Sequence, residues 1–428
     1  MDAHVDGVDL TGELRRTYTS AAAALLEDGD RRLTAARDAW TAFVRETSGD
    51  VFSDLTLDAP AGAADIAPVD RAFVATCYYD FLVDAMLDAV EGTTGVRLAN
   101  RSARANTQGL DVAFGPLHDR VLPPTEGRER VVEGLSASGV QSLGPGALSE
   151  LYRTVVPQPV RLVLGEYYTP GGIAELAVAA VDADRPERRV LDPGCGAGTF
   201  LTAASEAKLA TMGAAATDRV DTVFDTVVGI DINPVAVKSA KLSYLLALAT
   251  PLAACEREAV SVPVFLTDAL GLVLDEPISY RGEVPDLEFD TLVGNPPWIP
   301  WDRLSDALKT AWRETYVSEL GLQPHTGVEA RLGHSNDDVS VPYAFTCIHR
   351  YLRTGGRAAF VLKRDIVRGP AGAVLRRSRV GERPLRLTAI HDFGALDPFP
   401  DASAGAALYV FGADEEPELP IPTTVWHP

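Results

Sequence analysis

The sequence predicts an α/β protein: a doubly wound, mostly parallel sheet over residues 151–428, preceded by an α-helical domain over residues 1–150. Three observations carry this. Short apolar runs at 189–192, 226–231, 262–267, 289–294, 357–362, 386–392 and 406–411 alternate with helical stretches, the pattern of strands joined by crossovers. The first four runs lead into Asp192, Asp231, Asp268 and Asn295, and ligands of such sheets bind at the carboxyl ends of the strands. The first 150 residues carry instead the helical spacing of apolar side chains.

Taken in order, residues 11–46 place Leu14, Tyr18, Ala22, Leu25, Leu33 and Trp40 at helical spacing, and residues 64–92 do the same around Phe73, Tyr79, Phe81 and Met86. Residues 91–127, rich in Gly, Asn and Pro, predict loops, and a short helix from Gly146 to Val156 leads into the sheet. This region shows no constellation of reactive groups, and its acidity suits bracing or a protein partner.

The run ending at Asp192 opens into Gly194, Gly196 and Gly198 and then an Ala-rich helix. Glycines there admit a ligand close to the backbone, and the helix N-terminus offers N–H groups to a carboxylate. The next strand ends in Asp231, placed like the ribose-binding acid of nucleotide-binding folds, with Ile232 set against an adenine ring. A helix N-cap ahead of Asn233-Pro234 is the plainer role for Asp231. Asp268, closing the third strand, is either an acceptor for an adenine amine or an ordinary strand-end acid.

Asn295-Pro296-Pro297-Trp298 ends the fourth strand. Consecutive prolines donate no N–H and fix φ, so the Pro296 carbonyl and the Asn295 amide stand as acceptors at the strand end. A planar amine held between them has its lone pair aimed at an electrophile, and Trp298 is placed to stack on the ring that carries it. The alternative is an ordinary strand-ending turn with a buried Trp.

A chain of 428 residues suggests two domains. It has no apolar run near the ~18–20 residues that span a bilayer, and the opening MDAHVDGVDL is neither basic nor apolar, so a cytoplasmic location is expected. Cys77, Cys195, Cys255 and Cys347 are scattered without Cys or His partners in sequence, which predicts neither zinc, nor any other metal, nor disulfides. The net charge of −21 opposes nucleic-acid binding, yet residues 350–386 carry +9 within a remainder of −30. Lys363, Arg364, Arg368, Arg376, Arg377 and Arg379 are therefore candidate phosphate contacts; a solvated surface loop is the alternative. Only five lysines beside abundant acids is the composition of a high-salt cytoplasm.

Tyr167-Tyr168-Thr169-Pro170, DPGCGAGTF, GIDINP, LTDAL and GNPPW occur in the order that resembles the gamma class of N6-adenine DNA methyltransferases of restriction-modification and phage-defence systems. The resemblance covers roughly residues 150–428 and continues through NPPWIPWDRL, Asp337-Asp338-Val339-Ser340, GGRAAFVL and LDPFPDASAGAALYVF. It implies a Rossmann-like class I methyltransferase that binds S-adenosylmethionine across Tyr168, Thr169, Asp192, Gly194, Gly196, Asp231, Ile232 and Asp268. Asn295, Pro296, Pro297 and Trp298 then carry the chemistry on double-stranded DNA, and Phe399 supplies the second stacking face for a flipped-out adenine. About 25 residues separate Asp268 from Asn295, so no target-recognition domain interrupts the two halves, and relatives run on past the position of Thr-Val-Trp-His-Pro into such a region. A target-recognition module or specificity subunit is therefore an expected partner, with a restriction nuclease another. Trp298 stands where Tyr or Phe is commoner. The same Asn-Pro-Pro-aromatic chemistry serves ribosomal-RNA guanine and protein-glutamine methylases, which are commonly shorter and lack the DPFPDASAGA segment. A non-catalytic S-adenosylmethionine-sensing subunit is disfavoured by the intact tetrapeptide, and cytosine N4 chemistry by Asn rather than Ser at 295.

Overall fold

The computed structural model describes residues 4–5, 8–10, 12–49, 57, 66–101, 114–138, 146–163, 169–213, 215–272, 287–322, 339–367, 375–399 and 405–428. Tyr167, Tyr168, Arg368, Asp337 and Asp338 lie outside the described residues.

The N-terminal layer is helical: α1 (Glu13–Glu27), α2 (Arg31–Ser48), α3 (Pro68–Thr94), α4 (Gly115–Val121), α5 (Arg128–Ser138), α6 (Ala147–Val155) and α7 (Gln158–Val163). The expected helical pattern over 11–46 is split in two because Gly29 takes φ +72° and Asp30 caps α2, accepting from Arg32 N at 3.1 Å and Leu33 N at 3.0 Å. The stretch read as loops, 91–127, holds the end of α3, a two-residue strand at Arg97–Leu98 and α4. Pro116 sits in the first turn of α4, where a missing N–H costs nothing, so it starts a helix rather than breaking one.

The main sheet comprises β1 (Val190–Asp192), β2 (Val227–Asp231), β3 (Val264–Leu266), β4 (Phe289–Gly294), β5 (Leu352–Lys363), β6 (Arg379–Val380), β7 (Arg383–Asp392), β8 (Ala406–Ala413) and β9 (Thr423–Val425). Their order is β6-β7-β8-β5-β4-β1-β2-β3, with β9 pairing β7. Strands β5, β4, β1, β2 and β3 run parallel, while β8 enters antiparallel between β5 and β7. Strand β5 begins five residues before the expected 357: Gly355 and Gly356 mark a bulge, not a start, since the register opposite β4 jumps from Phe289↔Leu352 to Thr291↔Arg357.

Helices α8 (Gly171–Ala180), α9 (Thr199–Thr211), α10 (Ala216–Thr226), α11 (Pro234–Ala247), α12 (Ala249–Ala253), α13 (Asp306–Trp312) and α14 (Ser340–Tyr351) cover the sheet. Alternation along the strands divides the core: Val190, Val293, Val361 and Val410 face one side, and Leu191, Leu292, Phe360 and Tyr409 face the other with α14. The first side is continuous with the N-terminal layer, so Phe73, Tyr79 and Phe81 share one hydrophobic cluster with Val227 and Leu242.

Helix α3 is buried nearly all round and carries two acids into this junction. Lys238 of α11 reaches Asp80 Oδ2 at 2.7 Å and Asp84 Oδ1 at 3.3 Å, and His118 Nε2 lies 3.0 Å from Asp80 Oδ2. Tyr18 Oη closes the network on His118 Nδ1 at 2.7 Å. Burial opposes the charge on Asp80, but Lys238 and His118 outweigh it and hold the carboxyl below its usual 3.8. For Lys238 burial is likewise outweighed by Asp80 and Asp84, which lift it above 10.5. Asp80, Asp84 and His118 are the one group with metal-ligand proximity among the described residues, and the Lys238 ammonium supplies the positive charge there.

Replacing Lys238 with Met takes the ammonium from buried Asp80, while Asp84 keeps Arg101 at 3.2 Å, and is expected to cost about 3–5 kcal/mol in denaturant unfolding. A depressed Asp and a raised Lys set the sign of the pH dependence. The contribution of the junction is present between about pH 4 and 10.5, is lost as pH falls through the Asp80 value, and is lost again as pH rises through that of Lys238. An unfolding profile whose difference between parent and Lys238→Met persists unchanged below pH 3 contradicts this.

Candidate active site

Parallel pairing puts four strand ends side by side. Asp192 stands opposite Gly229, Asp231 opposite Leu266 and Leu191 opposite Leu292. Chain order runs outward from β1 to β3 on one side and from β4 on the other, so the crevice at β1 and β4 is the switch point at which open α/β sheets bind ligands.

A cavity of about 250 Å³ opens there, lined by Thr169, Gly194, Gly196, Asp231, Ile232, Asp268, Asn295 and Pro297 among others. Two segments far apart in sequence thus share one space. The Asn295 side chain donates from Nδ2 to Thr169 Oγ1 at 3.2 Å, which fixes the rotation of the amide. Gly198, the N-cap of α9, takes φ +89° with Ala240 Cα 3.1 Å from where its Cβ would stand, so only glycine lets the turn settle against α11.

Asp231 binds the turn with one oxygen and its own helix with the other: Oδ2 accepts from Gly196 N at 2.9 Å and Oδ1 from Asn233 N at 2.8 Å. Burial nonetheless pushes its pKa up, although backbone N–H groups oppose the shift. The carboxylate thus braces the turn and lines the cavity at once, and the helix N-cap role expected for it is not its own. The capping of α11 itself falls to Asn233, whose side chain accepts from Val235 N at 3.0 Å. Asp268 shapes the next turn, accepting from Leu270 N at 2.8 Å and Leu272 N at 2.9 Å.

Four expected residues stand back from the cavity surface, the first being Pro296, which is buried beside the lining residues Asn295 and Pro297. Asp192 is fully buried behind the turn, where Oδ1 accepts from Gly194 N at 3.3 Å and burial pushes its pKa well up. Trp298 and Phe399 are 2 % and 4 % exposed, and their ring centroids lie 5.5 Å apart. A base stacked between two rings needs roughly 7 Å, two van der Waals layers. The two faces are present but closed on each other, and a base enters between them only if they part.

The basic stretch is also altered by folding. Arg357 pairs with Asp182 at 3.6 Å, Arg364 with Asp392 at 2.8 Å, Arg379 with Glu382 at 3.2 Å, Arg383 with Asp414 at 2.8 Å, and Arg353 with Asp290. Asp182, Asp290, Asp392 and Asp414, from outside the segment, thus offset part of the +9 counted along the sequence, whereas Glu382 is already included in that count. Arg350 turns inward to Leu270 O and Tyr316 Oη, bracing the turn that Asp268 begins. Arg376 Nη1 donates to Val367 O at 2.9 Å and Arg377 to Gly321 O, both from exposed residues.

Residues that sequence reading missed complete the walls. Tyr343 of α14 donates to Pro193 O at 2.7 Å and lines the cavity, as do Trp40, Phe43 and Thr47 of α2 and Thr76 and Tyr79 of α3. The i, i+3, i+7 spacing of the α2 residues was visible, yet it is the same signal that a buried core face gives. The Cys195 thiol is pushed well up by burial, which removes it as a thiolate near neutral pH.

Residues 161–382 match the family model described as N-6 DNA Methylase, while no curated protein matches the sequence. Among solved structures the chain is similar to that of a DrdV–DNA complex, with TM-score 0.57 and 14% identity, covering 97% of this chain and 42% of that one. It is also similar to the ATP-dependent Type ISP restriction-modification enzyme LlaBIII bound to DNA, with TM-score 0.55, 12% identity, and coverage of 97% and 30%. The Type IIL restriction-modification enzyme MmeI in complex with DNA gives TM-score 0.50, 15% identity, and coverage of 96% and 58%. At these identities the likeness establishes the fold, and the chain spans less than half the length of the DrdV and LlaBIII chains. With the family model covering more than half of its residues, the chain belongs to the N-6 DNA methylase family.

Proposed function

We propose that this chain methylates N6 of an adenine flipped out of double-stranded DNA, using S-adenosylmethionine, within a restriction-modification or phage-defence system. The observation that carries the reading is the single cavity joining the glycine turn, Asp231 and Asp268 to Asn295 and Pro297. The fit to the cofactor rests on this donor set: a partly exposed carboxylate for ribose hydroxyls, the Ile232 side chain for a purine face, and a glycine turn at a helix N-terminus for a carboxylate.

S-adenosylmethionine supplies an electrophilic sulfonium methyl group. Asp231 holds the ribose, Ile232 and Asp268 the adenine, and Thr169 with the glycine turn the remainder. Asn295 Oδ1 and the Pro296 carbonyl accept the two hydrogens of the target amine, which directs its lone pair toward the methyl. Trp298 stacks on the flipped base, with Phe399 displaced to the far face. Positioning and exclusion of water provide most of the acceleration, and no covalent nucleophile is required. Unstacking the adenine costs a few kcal/mol, which stacking on Trp298 partly offsets. Residues 1–150 serve as a bracing layer and 151–428 as the transferase domain.

Asn295→Ala is expected to abolish methyl transfer while calorimetry shows cofactor binding near that of the parent. Asp231→Ala reverses the pattern and weakens cofactor binding first, by a few kcal/mol at most. Transfer retained by Asn295→Ala removes the catalytic assignment.

Arg376, Arg377 and Arg379 changed together to Glu are expected to lower DNA affinity and flatten the slope of log K against log salt by about one per lost phosphate contact. Arg350→Met, which removes an inward brace, is expected to lower the melting temperature and leave that slope unchanged. Equal slopes for the triple variant and the parent reduce the segment to a solvated surface.

Specific readout needs side chains in the major groove over several base pairs. The relatives of known structure are longer restriction-modification enzymes, so a target-recognition module or subunit completes the assembly. The chain by itself is expected to methylate duplex adenines weakly or without sequence preference, and efficient methylation confined to one motif without any partner contradicts this.

A further inference from the structure

We propose that the N-terminal layer is a wall of the cofactor site: α2, through Trp40, Phe43 and Thr47, encloses the purine end of the cavity. The inference rests on the cofactor reading given above and extends it to a region with no resemblance to a binding motif.

The placement follows from independent contacts. Gly49, which ends α2, has φ +81°, and a methyl group there would overlap the Arg303 carbonyl oxygen. The end of α2 is therefore seated on the segment Trp301–Arg303 that follows the Asn-Pro-Pro-Trp turn and leads into α13. Beyond α13, Tyr316 Oη donates to Leu270 O at 2.7 Å, so this segment lies over the Asp268 turn. Leu304, Leu308 and Trp312 line the cavity together with the α2 residues and with Ile232 and Asp268, the residues assigned to the adenine. The cavity surface is mostly apolar, and the Trp40 and Phe43 rings offer the aromatic carbon that suits a flat purine.

The wall is fixed rather than free to swing. Helix α3, packed on α2, is held to α11 by the Lys238, Asp80 and Asp84 ion network, and α11 begins two residues after Ile232. A second tie joins Asn100 to Val262 in both directions, with Nδ2 to O at 2.8 Å and N to Oδ1 at 3.0 Å, beside the start of β3. Cofactor affinity consequently depends on side chains more than 140 residues before the glycine turn.

Thr47 gives the test, because it lies in the last turn of α2, is only partly buried and borders the cavity. S-adenosylmethionine and adenosine are titrated calorimetrically into the parent and into Thr47→Ser, Thr47→Met and Thr47→Phe, with thermal melting recorded for each. Affinity for both probes is expected to stay near that of the parent for Ser and to fall for Met and further for Phe, by about tenfold or more for Phe, with melting temperatures near that of the parent. The graded loss is what a side chain growing into the ligand produces, and the flexible Met variant carries the measurement if Phe is not tolerated. A parent that binds S-adenosylmethionine while Thr47→Met and any folded Thr47→Phe bind it equally well overturns the wall alone. A parent that binds neither probe overturns the cofactor reading, and the wall with it.

Discussion

The parallel ladder from β4 through β1 and β2 to β3 is the constraint on which everything at the site depends. Parallel strands end on the same edge, so one register delivers the glycine turn, Asp231, Asp268 and Asn295 to one crevice although they span about a hundred residues of chain. A slip of one residue in β2 would turn Asp231 away from the Gly196 N–H it now accepts. The site is thus a property of the sheet, and the loops only decorate its edge.

Two arrangements of buried charge near the site have different consequences. Between the layers, two carboxylates, a lysine, a histidine and Arg101 satisfy one another, so a largely buried ion network joins α3 to α11. At the glycine turn, buried Asp192 and partly buried Asp231 are held by backbone N–H groups with no ion pair among the described residues, and burial leaves their charged forms disfavoured. The first arrangement fixes geometry. In the second, the two acids disfavour each other's charge, and a cationic ligand in the cavity would favour it.

The sheet was legible because strand ends carry their chemistry in sequence. Val190–Asp192, Val227–Asp231 and Phe289–Gly294 fall within one or two residues of their expected places. Less was legible where an apolar or basic residue serves more than one purpose. Trp40 and Phe43 line a cavity with the same spacing that packs a core, and Arg350 reads as part of a basic run until the fold turns it toward Leu270. The Trp298 and Phe399 rings illustrate the opposite case: each residue was identified, but their contact at 5.5 Å is a tertiary fact that no spacing encodes. Gly355 and Gly356 misplaced a strand start because a bulge and a break use the same residue.

The central claim is that the amine presented to Asn295 belongs to adenine in DNA. Incubating the chain with duplex DNA of mixed sequence and isotopically methyl-labelled S-adenosylmethionine, then digesting to nucleosides for mass spectrometry, reads the product directly. The account predicts label in N6-methyladenine and its loss in Asn295→Ala. Label in N4-methylcytosine, or none in any nucleoside from a chain that binds the cofactor and DNA, would contradict it.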